Sequence, residues 1–144
     1  MIAPNSVSYK LLRLLLAVIG GGLMVAMIPV FFPVSVMATL HLWLGLGNFP
    51  TQPIAIYLAR STAMLYAVHG ALMLVVSFDL QRYWPLVPVF GWLHVVIGLT
   101  MFGIDWTTPM PLYWLVGEGI PIVIAGLVIL VLHRHAARRS RATT

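Results

Sequence analysis

Cysteine is absent from this chain, and only three of its 144 residues are acidic. Without thiols there can be no disulfides, thiolate nucleophiles, iron–sulfur clusters or cysteine–zinc sites, and the redox compartment is left open. Charged residues of both signs together make up 8% of the chain. A soluble domain of this size is about one quarter charged, so this chain cannot cover a water-facing surface. The three carboxylates, Asp79, Asp105 and Glu118, are far apart in sequence. No paired acids for intramembrane acid–base chemistry, Gly-Ser nucleophile signature, phosphate-cradling loop or spaced metal motif is present, which weighs against an enzyme. Internal repeats and low-complexity segments are also missing, and the sequence reads as one domain over 1–144.

What is present is apolar. Hydrophobic residues account for 61% of the chain, and the mean hydropathy is +1.01. Four apolar runs, at about 11–32, 54–78, 86–104 and 112–132, are each long enough to cross a bilayer of ~30 Å as a helix. Segments without water must satisfy their backbone internally, which predicts helices. The fold class is therefore all-α: a polytopic four-helix membrane bundle. The first run is preferred as an anchor over a cleaved signal, despite "VMA" at 36–38, because its apolar core is longer than a signal requires. Between the first two runs, residues 34–44 are apolar but too short to span, which predicts a helix lying in the interface, ended by Gly45, Gly47 and Pro50. His41 and Trp43 then sit at headgroup depth, His41 as a wet interfacial histidine.

The formal charge of +5 resembles a nucleic-acid signal, but the bases lie at the ends of the runs. With the N-terminus cytoplasmic, Lys10, Arg13, Arg82, Arg134, Arg138, Arg139 and Arg141 are all cytoplasmic, seven of the eight Lys and Arg. The positive-inside rule selects this orientation. The reading is a multi-pass protein of an inner (cytoplasmic) membrane with both termini inside and a basic tail over 133–144. The bilayer is its environment, other membrane subunits or further copies are its candidate partners, and nucleic acid is not one. "GIDWTTPMP" reads as a tight outer loop with Trp106 at interface depth.

Polar residues inside the runs are the candidate sites, because a charge at the bilayer centre costs about 3 kcal/mol or more. Arg60 and Glu118 each lie about six residues in from the outer side, roughly 9 Å deep. The matching depths predict an intramembrane pair, with Arg60 snorkelling outward as the alternative. Arg60 falls near Ala63, Ala67 and Ala71, a small-residue ridge suited to close helix packing. His69 lies half a turn away, on the face of Thr62, Tyr66 and Met73. His69 and His94 are predicted about 12 Å from the inner side. Tyr66, His69 and His94 are thus a candidate ligand pocket, although a hydrogen bond from a buried histidine to a neighbouring hydroxyl, that of Tyr66 or Thr62, is the simpler reading. No cofactor is required; a haem b held between His69 and His94, or a quinone, is the alternative. Gly91, His94 and Gly98 share a face that permits close approach. In "GEGIP", Pro121 removes the donor for the Gly117 carbonyl, and Gly117 and Gly119 loosen the backbone, which predicts a kink beside Glu118.

The stretches "YLARSTAMLYAVHG", "FDLQRYWPLV" and "GIDWTTPMPLYWLVGEG" resemble small bacterial four-helix integral membrane proteins of uncharacterised families, over roughly 35–132. In layout the chain is more distantly similar to DoxX-like proteins, some of which are linked to quinone-dependent oxidation. The resemblance implies a four-span fold and transfers no site residue. The function predicted is that of a non-enzymatic subunit or accessory protein, with a redox or lipophilic-cofactor protein as the alternative.

Overall fold

The computed structural model describes residues 6–108 and 110–141, leaving aside the side chains of 139–141. Pro109 of the predicted outer loop and residues 142–144 of the predicted tail lie outside the described residues. The elements are α1 (Val7–Met24), α2 (Met27–Val30), α3 (Val34–Trp43), α4 (Pro53–Phe78), a 3-10 turn at Trp84–Leu86, α5 (Val87–Thr107), α6 (Leu112–Gly117) and α7 (Gly119–Arg141). No strand occurs among the described residues. Four helical stretches, 7–30, 53–78, 84–107 and 112–138, are long and apolar enough to cross a membrane.

Caps and prolines, more than hydropathy, set where these helices begin and end. Helix α1 starts at Val7, ahead of the apolar run, because the Ser6 hydroxyl accepts the Tyr9 backbone N–H at 3.2 Å. It breaks after Met24, where Pro29 cannot donate to the Val25 carbonyl. That carbonyl accepts instead from Ile28 N–H at 3.0 Å, and α2 is the short continuation. Helix α3 ends in a Schellman motif: Leu46 N–H donates to His41 O at 3.1 Å and Gly45 N–H to Leu42 O at 2.9 Å. Gly45 takes φ 70°, where a side chain would be strained. Helix α5 continues past the predicted boundary at 104 to Thr107, so Asp105 and Trp106 are helical. It stops because Thr108, which precedes a proline, is extended at φ −101°, ψ 138°. Helix α7 runs on through the basic segment to Arg141.

The chain divides into two compact units, residues 1–18 with 73–144 and residues 19–72. In the first unit α5 packs chiefly against α7, antiparallel, through glycines seven residues apart on each helix. A Cβ at Gly98 would lie 2.7 Å from the Gly119 carbonyl oxygen, and one at Gly126 would lie 2.6 Å from the Gly91 carbonyl oxygen. The backbones therefore touch, and only glycine fits at these crossings. Leu12, Leu16, Met73, Leu80, Val87 and Ile129 fill the core of this unit with almost no exposure. One face of this core is aromatic: Tyr9 stacks on Trp84 at 6.3 Å, and Trp84 on His133 at 4.4 Å.

In the second unit α4 meets α1 just as closely, since a Cβ at Gly70 would stand 2.5 Å from the Gly20 carbonyl oxygen. Ala67 of the predicted ridge is buried, while Ala63 and Ala71 are half-buried.

Candidate functional site

The most developed polar feature is the junction of α6 and α7. Helix α6 ends at Gly117, and Glu118 takes φ −102°, ψ −72° before α7 begins at Gly119. Pro121 leaves the Gly117 carbonyl without its helical donor, and the next bond, Ile122 N–H to Glu118 O, is stretched to 3.5 Å. The Glu118 side chain folds back along α6, where its Oε2 accepts the Trp114 indole N–H at 2.6 Å. At that distance the bond is short for an N–H donor. Tyr113, Trp114, Gly117, Glu118, Pro121 and Ile122 line an open groove of about 500 Å³. The carboxylate is half-buried at its wall, and the remaining surface is aromatic and aliphatic.

Arg60 lies in the other unit. Its Nη2 donates to the Phe32 carbonyl at 3.0 Å, tying α4 to the turn between α2 and α3. That carbonyl follows α2 and precedes Pro33, so the guanidinium caps backbone that the turn between α2 and α3 leaves open. Arg60 Nε is buried and has no partner among the described residues. Arg60 and Glu118 thus belong to different units, and each has a partner within its own.

The predicted pocket residues are likewise divided between the units. Tyr66 and His69 share a face of α4, both half-buried and both engaged by neighbours. His94 is buried on α5, on the glycine face that packs against α7. Its Nδ1 lies 2.8 Å from the Phe90 carbonyl oxygen of its own helix. A carbonyl only accepts, so Nδ1 is the donor in this bond. His41 does the same work in the α3 loop, where Nδ1 donates to Gly47 O at 2.9 Å and the ring meets Phe49 edge-on at 5.5 Å. Among the described residues no group of three or more His, Cys, Asp or Glu could hold a metal ion.

Two features escaped the sequence reading. Asp105 is buried inside α5, with Oδ2 lacking a partner among the described residues; the apolar run appeared to end before it, and only the Thr-Thr-Pro that follows signals the later stop. The second is the Trp114–Glu118 bond, whose i, i+4 spacing is the signal the sequence carries for it. No protein-family model matches the chain, and no curated protein or solved structure matches it.

Proposed function

We propose that this chain is a multi-pass protein of a cytoplasmic (inner) membrane, both termini inside, serving as a non-enzymatic subunit or accessory protein. The observation that carries the membrane reading is the disposition of apolar surface. Only 17% to 33% of the most apolar window of each long helix is buried. Leu14, Leu65, Leu99 and Leu112 are more than half exposed, as are Trp92 and Trp106. Water would penalise that area at about 25 cal/mol per Å², whereas acyl chains accept it.

The non-enzymatic part rests on how the polar groups are used. Arg60 caps a carbonyl, Glu118 accepts from an indole one turn away, and His94 donates to its own helix. Each is a structural use that removes the cost of a polar group at depth. A second reading, a site for a lipophilic cofactor such as a quinone, is favoured by the groove beside Glu118, where an apolar wall adjoins one strong acceptor.

Cysteines introduced singly at Thr107 and Ser140 test the topology in sealed vesicles. Thr107 should react with an impermeant maleimide from outside and Ser140 only after the vesicles are opened. Labelling of both from one side would refute four spans. Extraction of the purified protein followed by mass spectrometry and a visible spectrum tests the second reading. A stoichiometric quinone or a Soret band would displace the accessory role.

A further inference from the structure

The basic end of the first unit carries a groove of about 520 Å³ between the start of α1 and the turn that follows α4. Its apolar lining includes Tyr9 and Leu80, both buried, while Phe78 stands exposed at its edge. Lys10 and Arg13 reach it from α1, three residues apart and so on one helix face, and Asp79 and Gln81 from the turn. Asp79 is already engaged, because its Oδ1 accepts the Arg82 backbone N–H at 3.2 Å. The Arg82 guanidinium is turned onto the Tyr83 ring, 5.6 Å from its centroid, and does not line the groove. Two cations against one anion leave the groove a single unit of positive charge, which a phosphodiester monoanion neutralises.

We propose that this groove holds the phosphodiester headgroup of an anionic glycerophospholipid, with Lys10 and Arg13 on the phosphate and Gln81 on the glycerol side. A free phosphate would offer the same charge, but two observations favour the lipid. Phe78, at the edge of the groove, is 72% exposed, and Val75, one turn back along α4, is also exposed. Together they form an apolar strip on which an acyl chain can lie. The groove also sits among the basic helix ends, where a cytoplasmic leaflet carries its anionic lipids. The proposal rests on the membrane reading above.

The test uses the full chain in detergent, with lipid retention read by native mass spectrometry. Each basic contact near an anionic lipid surface contributes enough that two should favour phosphatidylglycerol over phosphatidylcholine by roughly 10- to 30-fold. K10Q/R13Q should lose that preference. R134Q/R138Q removes the same charge from the C-terminal part of α7, where neither residue lines this groove, and should keep it. D79N, which retains an acceptor for Arg82 and raises the groove charge, should strengthen it. Lys10, Arg13 and Asp79 are exposed, so these variants leave the core untouched. Equal retention of the two lipids by the native chain would overturn the proposal, as would equal losses in the two double variants. Displacement of phosphatidylglycerol by millimolar inorganic phosphate would also overturn it, in favour of a soluble anion. If the chain inserts into pure phosphatidylcholine vesicles by the cysteine test yet shows no lipid preference, only this proposal fails. If it does not insert, the membrane reading fails first.

Discussion

Glu118 and Trp114 are one helical turn apart, and their 2.6 Å bond explains how a carboxyl group can stand in a groove of aromatic and aliphatic residues. Trp114→Phe keeps the ring and removes only the donor. It should lower stability in detergent by about 1–3 kcal/mol, the range for leaving one buried acceptor without its partner. Adding Glu118→Met, which removes the acceptor, to that background should cost much less than the sum of the two single losses, because the shared bond is already gone. Thermal melting of the four proteins checks this, and strict additivity would mean the bond contributes nothing. Arg60 makes a longer-range tie. Arg60→Met keeps the apolar stem and frees the Phe32 carbonyl, so the turn around Phe32 should lose hydrogen-exchange protection by mass spectrometry while α5 and α7 keep theirs. Loss of protection throughout the chain would instead mark Arg60 as essential to the whole fold.

Helix α5 illustrates what glycine spacing does in an apolar protein. On the membrane reading, Leu, Ile and Val packed against one another hold no advantage over Leu, Ile and Val facing lipid, so close backbone approach must supply the association energy. Gly98→Ala puts a methyl 2.7 Å from the Gly119 carbonyl oxygen and from Val123, where backbone must move. It should destabilise by about 1–3 kcal/mol, as overpacking does. Gly103→Ala, on the same helix and facing open space, should be neutral or stabilising by up to ~1 kcal/mol, since alanine is the better helix former. Denaturant unfolding in mild detergent reads both. A similar loss at the two positions would show that propensity, and not packing against α7, decides the outcome.

Over the whole chain, hydropathy made the four long apolar helices legible but placed their ends imperfectly. The predicted limit of the third run at 104 missed a full helical turn, because Asp105 looked like a boundary while Thr108 before its proline is where the backbone turns. The extension matters, since it buries Asp105. The break in the first span at residues 25–26 was missed for the opposite reason: the surrounding residues are uniformly apolar, and only Pro29 marks it. The membrane reading makes one further prediction. In single-tryptophan variants reconstituted with lipids brominated on their acyl chains, Trp92, which is exposed on α5 about 12 Å along the helix from Trp84, should be quenched strongly. Trp84, stacked between Tyr9 and His133 near the basic end, should be quenched weakly. Equal quenching would place both at the same depth and contradict the assigned spans.

The sequence by itself determined the class, the number of long apolar helices and the gathering of basic residues at the ends of those helices. These depend on composition and on a rise of about 1.5 Å per residue, which are properties of the chain alone. The stop after α3 was readable for the same reason, because a left-handed glycine is a local requirement. Only the tertiary structure decided which polar group each buried side chain meets. Depth along a helix can be counted from the sequence, but the rotation that brings a face to one neighbour and not another is fixed by packing. So Arg60 is found on the Phe32 carbonyl 28 residues away, and the glycine face carrying His94 is found against α7.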